Sequence, residues 1–339
     1  MGLDKATAEI QDQITRRAEV EESVKQKLQI DVDGIYPGAP GNWEFTPVRQ
    51  GNYLIFEDEF GITWRMPVED GLYYDMYHHP LQNIESDEDI NNYIFHKADD
   101  PARFVDFPGK IRLSRDKHRP YILNAQAGLF ELALWIRGFS KFYMDLAIDP
   151  SRAERLLDKL LDFKKKYWQT ALAYTEDELI IVAEADDLAG EENSLISPDM
   201  YRKYIKPRHK KLFDFIKQEA EGETYIFYHS CGAIRKLIPD LIEEGVDILN
   251  PVQISARDMD PGELKQEFGD KITFWGGGID TRETLPHGSP EEVREETKRN
   301  IEALAPDGGF VFATVHNVQA DVPVENFMAM WETLKEYGR

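Results

Sequence analysis

Tyr225-Ile-Phe-Tyr-His-Ser-Cys-Gly232 is the stretch on which the reading of this chain turns. Thr224 to Tyr228 is an aromatic, β-branched run of the kind that forms a buried strand, and Ala233 to Glu244 has helical spacing. His229 and Cys231, the latter the only cysteine, therefore fall where a strand hands over to a helix. That is the edge at which α/β enzymes carry their chemistry. A His-x-Cys pair alone is weak evidence for metal and better fits a hydrogen-bonded core histidine beside a small buried thiol. A second strand end, Phe310-Val-Phe-Ala-Thr-Val-His-Asn317, adds His316 to the set.

Outward from this point the chain alternates. Strands are expected at Tyr121–Asn124, Leu179–Glu184, Asp247–Asn250, Ile272–Trp275 and Phe310–Thr314. Helices are expected around residues 130–138, 141–146, 151–174, 198–220, 261–268, 290–304 and 323–337. Strands alternating with helices imply a parallel sheet. Polar residues recur at the strand ends: Asn124, Glu184 with Asp186 and Asp187, His229, Asn250, Asp280 and His316. In a closed barrel all of them converge on one face, whereas in an open sheet only those at a switch point would meet. The expected fold is thus α/β, a TIM (β/α)8 barrel over residues 101–339 within a single domain 1–339. Residues 1–100 form an N-terminal helical and hairpin extension. Within it, one long surface helix is expected over 4–29, and a hairpin turning near Asp58–Gly61. Tyr73–His79, with His78 and His79, reads as a surface loop or lid. Nearby Trp43, Phe56, Phe60 and Trp64 suit a substrate cover or plain core.

Composition narrows the function. A net charge of −23 without a basic stripe repels nucleic-acid backbones and anionic membranes. No apolar run approaches the roughly 20 residues that span a bilayer. One cysteine leaves no internal disulfide and fits a reducing cytoplasm. No G-x-S-x-G, P-loop or HExxH is present, so a hydrolase triad, a phosphotransferase and a zincin lack support.

His229, Cys231 and His316 make a three-ligand zinc site with one open position, as catalytic zinc requires. One thiolate and two neutral imidazoles leave that site at about +1, by addition over Zn2+. Glu184, Asp187 or Glu191 could complete or neutralise it. Glu184 and Asp187 are the candidate acid–base carboxylates, with a solvated acidic loop as the alternative. Asn250, Gln253, Asp280 and Asn317 are candidates for orienting substrate or supporting ligands. Gly276-Gly-Gly-Ile-Asp280 is a tight turn or a close backbone approach to a ligand, and it is not a dinucleotide motif.

These residues resemble the uroporphyrinogen decarboxylase superfamily, and within it the corrinoid-dependent methyltransferase branch, which methylates coenzyme M or demethylates methoxy compounds. The resemblance runs from about Asp58 to the end. It is carried by Asp186-Asp-Leu188, Ile196-Ser-Pro198, Tyr201 to Pro207, His229-Ser-Cys-Gly232, Asp247-Ile-Leu-Asn-Pro-Val-Gln253, Trp275-Gly-Gly-Gly-Ile-Asp280 and Pro323-Val-Glu-Asn-Phe327. It implies a TIM barrel and a zinc methyltransferase acting on a small methylated compound. The corrinoid (cobalamin) would arrive on a partner protein, since no cobalamin-binding segment is visible here. The chain departs from the family twice. The Arg-Gln-Ala-Gly-Arg-Tyr segment of the decarboxylases has no counterpart, which argues against uroporphyrinogen as substrate. The distant cysteine ligand of the coenzyme M methyltransferases falls on His316, which makes the implied site a stronger Lewis acid. Two other readings stay open. One is a metal-free decarboxylase of another carboxylated molecule, with Arg137 or Arg257 as carboxylate binders. The other is a non-catalytic binding protein on the same barrel.

Overall fold

A computed structural model of the chain describes residues 10–84, 86–125, 127–175 and 179–338. Two compact units divide it, residues 1–122 with 131–175, and residues 123–130 with 176–339.

The first unit holds β1 (Asp33–Ile35) and a four-stranded antiparallel sheet of β2 (Val48–Gln50), β3 (Tyr53–Glu57), β4 (Thr63–Pro67) and β5 (Asp75–His78). The expected hairpin is β3–β4, in register through Phe56 opposite Trp64. Its turn is fixed by Asp58, whose Oδ1 accepts the Phe60 and Ile62 N–H groups at 2.8 and 2.9 Å. Phe56, Phe60 and Trp64 are core residues. Where a loop or lid is expected at Tyr73–His79, the chain instead supplies the strand β5, and His79 Nδ1 lies 2.6 Å from the Trp135 carbonyl.

The long surface helix expected over 4–29 is absent from its described part, residues 10–29; residues 4–9 lie outside the described residues. Ile10–Asp12 and Arg17–Ala18 form a short antiparallel ribbon, and helix is confined to Glu22–Lys27. The physical reason is local. The Asp12 carboxylate accepts the N–H groups of Ile14 and Thr15, both at 2.9 Å, and so offers the backbone a turn in place of a helix. The Glu22–Lys27 segment also buries no residue, so packing does not extend it.

The first unit's helices include α1 (Phe139–Ile148) and α2 (Pro150–Leu172). In α2, Leu156, Leu157, Leu160, Leu161, Phe163 and Lys164 are buried, a stripe of helical period.

Strand β6 (Tyr121–Asn124) begins in the first unit and ends in the second. The second unit continues with β7 (Leu179–Ala185), β8 (Glu223–His229), β9 (Ile248–Asn250), β10 (Thr273–Trp275) and β11 (Phe310–Val311). Strands β7 to β11 are parallel and lie in sequence order. Between them run α3 (Lys206–Glu219), α4 (Ile238–Glu244), α5 (Pro261–Phe268), α6 (Pro290–Leu304) and, last, α7 (Val324–Tyr337). The strand–helix alternation expected from residue 120 onward is present, and the fold is a TIM-barrel-like α/β fold. Val182, Ile226, Leu249 and Phe274 of the strands and Leu212, Ile216, Leu241 and Leu264 of the helices are all buried.

Two helices depart from expectation. The one expected over 198–220 is interrupted by a π turn, Tyr201–Ile205, ahead of α3. Pro207 lacks an N–H, which removes one helical bond at that place and favours the wider turn. The one expected from Ala233 begins only at Ile238, after a 3-10 turn at Arg235–Leu237. Gly232, with φ of +87°, turns the chain sharply before it.

Candidate metal centre

Register sets the site. His229 is level with Ala185 on one side and Asn250 on the other. The residues just beyond these strand ends therefore leave the sheet at one edge. Several bonds join the corner after β7 to the corner after β8, among them Ala233 N–H to the Gly190 carbonyl at 2.8 Å. Asp186 N–H donates to the His229 carbonyl at 3.0 Å, Leu188 N–H to Ser230 Oγ at 3.1 Å, and Cys231 N–H to Asp187 Oδ1 at 2.9 Å. Gly232 permits the close approach. A Cβ there would lie 2.5 Å from the Gly190 carbonyl oxygen and 2.6 Å from that of Ala189.

One ligand atom from each of Asp187, His229 and Cys231 lies within 4.8 Å of the other two. His229 Nε2 stands 3.4 Å from Cys231 Sγ. Donors bound at 2.0–2.3 Å to a tetrahedral zinc stand roughly 3.5 Å apart, so the pair already has a chelating separation. The other ring nitrogen of His229, Nδ1, lies 2.6 Å from Asn250 Oδ1. Asn250 is itself oriented, because its Nδ2 donates to the Trp275 carbonyl at 2.8 Å. Asn250 Oδ1 must then accept, so His229 carries a proton on Nδ1, and as a metal ligand it would present the Nε2 lone pair toward Cys231. A neutral imidazole, a thiol and a carboxylate with an oriented outer partner are a donor set that suits zinc. Replacing Asn250 by Ala is expected to weaken zinc binding about 10–100-fold, read by chelator competition. An unchanged affinity would show that the ring needs no such support.

Of the three carboxylates considered from sequence, Asp187 joins His229 and Cys231. Glu184 is buried at 3% exposure within β7, and exposed Glu191 pairs with Arg282. His316 stands outside the close group of three among the described residues, on the segment after β11. Partial burial, and then nearby His229, lower its pKa, against the pull of Asp187. With Gln253, Arg282 and Asn317, His316 lines a cavity of about 300 Å³. Gln253 Oε1 also accepts the Gly232 N–H at 2.8 Å, which ties that cavity to the Cys231 corner. Asp280 Oδ1 accepts the Arg282 N–H at 3.1 Å and shapes the turn after β10. At that turn Gly276, with φ of +126°, runs against the Pro251 carbonyl, where a Cβ would be 1.9 Å away.

A buried polar chain behind the site escapes sequence reading. His209 Nε2 lies 2.8 Å from Asp186 Oδ2, and its Nδ1 lies 3.3 Å from Glu244 Oε2. The Tyr201 hydroxyl donates to Glu244 at 2.7 Å. Burial disfavours the imidazolium, but the bonds to Asp186 and Glu244 outweigh it and lift the His209 pKa to about 9. The unfolded chain releases this proton near pH 6.5, the folded chain only near 9. Between those values the folded state holds more protons, so its stability falls as pH rises. The stability advantage of wild type over His209→Gln is expected in full near pH 6 and reduced near pH 10, in urea melts at both. A difference independent of pH would mean that His209 is neutral when folded.

The uroporphyrinogen decarboxylase (URO-D) family profile matches residues 110–337. A methylated-thiol–coenzyme M methyltransferase of Methanosarcina mazei is 27% identical over 210 residues, 62% of this chain and 49% of the relative. A methylcobamide:CoM methyltransferase, MtbA, of the same organism is 25% identical over 262 residues, 76% of this chain and 70% of the relative. A uroporphyrinogen decarboxylase of Chlorobium chlorochromatii is 24% identical over 192 residues, 56% of this chain and 50% of the relative. The chain thus spans about half the length of the first and third of these relatives. Among solved structures, a methyltransferase from Methanosarcina mazei superposes with a TM-score of 0.62 at 17% identity, covering 83% of this chain and 77% of that one. That likeness establishes the fold. No helix among the described residues is long and apolar enough to cross a membrane.

Proposed function

We propose, from the premise that this chain belongs to the uroporphyrinogen decarboxylase family, that it is a zinc-dependent methyltransferase. It moves a methyl group between a small methylated compound, thiol or methoxy, and a corrinoid carried by a separate protein. The observation that carries the reading is the group Asp187, His229 and Cys231 with Asn250 behind it. The relatives named for methyl transfer to coenzyme M support the reaction class.

In this reading His229, Cys231 and Asp187 hold the metal. Zinc, when bound, supplies a Lewis acid that binds the substrate heteroatom and favours its deprotonated or leaving form. His316, on the neighbouring segment, is the alternative to Asp187 as third ligand, so that one position stays open to the substrate. A thiolate and a carboxylate together neutralise Zn2+ by simple addition, so the site is less electrophilic than one built from His229, Cys231 and His316 alone. Asn250 acts on His229 and is a positioning residue. Substrate contact falls to Gln253 and Asn317, on the cavity beside Cys231. Asp280 shapes that cavity through the turn carrying Arg282. Glu184 is too deeply buried to serve solvent-borne substrate directly and acts, in this account, through its neighbours.

The metal-free decarboxylase reading needs free guanidinium groups to hold carboxylates. Arg137 is committed elsewhere, with bonds to Asp145 and to the carbonyls of Leu81 and Gln82. Exposed Arg257 leans on Glu192 at 3.5 Å.

The test is methyl exchange with free cobalamins. Zinc-loaded protein is mixed with methylcobalamin and a thiol, and separately with cob(I)alamin and a methoxyarene. In the first mixture the methyl cation equivalent passes to sulfur and leaves cob(I)alamin, with a distinct visible spectrum. Zinc-dependent exchange in either mixture supports the proposal. Exchange in neither, with a chelator-resistant decarboxylation found instead, would overturn it.

A further inference from the structure

We propose that His209, with Asp186, Glu244 and Tyr201, is a positioning device that holds the Asp187 carboxylate on the Cys231 corner. This rests on the reading of Asp187, His229 and Cys231 as metal ligands.

Asp186 and Asp187 are neighbours with opposite tasks. Asp186 is fully buried and turned into the protein, where it meets His209. Asp187 is half-buried and turned toward the Cys231 amide. No repeating strand geometry governs them, since β7 ends at Ala185. The corner is therefore set by what Asp186 grips. If Asp186 let go, the Asp186–His229 backbone bond and the Asp187 carboxylate would both be free to swing.

His209 is built in from three sides. It sits on α3, its ring stacks on Phe213 at 5.6 Å and meets Tyr228 edge-on at 5.5 Å. Tyr228 directly precedes His229, so the same ring packs behind both ligand-bearing corners. Glu244, at the end of α4, anchors the far side of the imidazole. Tyr201 reaches Glu244 because of the π turn. In an unbroken α-helix, at about 100° per residue, positions eight apart are about 80° out of phase. The wider π turn at Tyr201–Ile205 takes up much of that offset and brings Tyr201 and His209 to the same carboxylate. Such turns often mark functional segments. A fully buried chain of two carboxylates, an imidazole and a phenol is costly to desolvate, so it is an improbable filler for a site that apolar side chains could pack.

Cobalt(II) is the probe, because its visible bands report ligand identity and geometry without turnover. Wild type, His209→Gln and Tyr201→Phe are titrated with Co2+ alone, and folding is checked by circular dichroism. Wild type is expected to bind one Co2+ with a thiolate charge-transfer band. In His209→Gln that band persists, since Cys231 remains, but the ligand-field bands change and the dissociation constant rises about 10-fold or more. Tyr201→Phe is expected to give a smaller change of the same kind. A merely structural His209 would lower the melting temperature and leave bands and affinity as in wild type, which would overturn the proposal. Should His209→Gln fail to fold, Tyr201→Phe decides, because it removes one hydroxyl and keeps the ring. Unchanged bands and affinity there would also overturn it. If wild type itself binds no Co2+, the metal reading fails first and takes this proposal with it.

Discussion

Cys231→Ala should lose its zinc and its methyl transfer while keeping its fold. Cys231 is the one soft ligand available to the site, and its Sγ faces His229 Nε2 at 3.4 Å. Removing it leaves a histidine and a carboxylate, a pair that holds zinc poorly. The loss in affinity should exceed about 100-fold, the upper end of what removing a mere supporting group costs. Methyl transfer should fall with metal content. The side chain is only half-buried and its corner is held by backbone bonds and Ser230, so the metal-free melting curve should shift by no more than about 1 kcal/mol. Elemental analysis and urea melts of the two metal-free proteins separate these outcomes. Retained zinc in Cys231→Ala would remove the thiolate from the site. Collapse of the fold would make Cys231 a packing residue.

Arg103→Met should destabilise the first unit by about 3–5 kcal/mol, the cost of breaking a buried ion pair on one side. The Arg103 side chain is entirely buried. Its Nη1 donates to Glu59 Oε1 at 2.9 Å, its Nη2 to the other carboxylate oxygen, and its Nε to the Lys97 carbonyl at 2.9 Å. Met keeps much of the volume but leaves Glu59 buried at 8% exposure without its fork of donors. The double replacement Arg103→Met with Glu59→Leu should recover most of the loss, since an apolar pair of similar volume can replace a buried ion pair. Denaturant melts of the single and double variants measure both. A single variant within 1 kcal/mol of wild type would mean that water reaches Glu59.

What the sequence carried, and what it did not, follows from how local each signal is. The parallel strands were legible because each is a short apolar run between turn residues, and His229 and Cys231 because they close such a run. Pro261–Phe268 and Pro290–Leu304 were legible to the residue, since proline marks the first helical position in both. The helix expected over 4–29 had charged residues and sparse apolar spacing, and among its described residues a single Asp12 turn was enough to defeat it. Asp187 as the partner of Cys231 was not readable. Two adjacent acids just past a strand end can point either way, and the inward one meets His209, 23 residues on in sequence. Nor could spacing reveal Arg103 on Glu59, 44 residues apart, or Glu244 under Tyr201. A histidine in a helix of mixed charge, such as His209, carries no local mark of burial. The one available signal was Pro207, which warned of a break in that helix.

The measurement that bears most directly on the central claim is zinc K-edge X-ray absorption on the reconstituted protein. One zinc per chain is expected, with a single sulfur at about 2.3 Å and nitrogen or oxygen ligands at about 2.0–2.2 Å. Cys231→Ala should lose the zinc, and any zinc that excess metal forces onto it should show no sulfur shell. A first shell of oxygen and nitrogen alone in wild type, or no stoichiometric zinc at all, would contradict that claim.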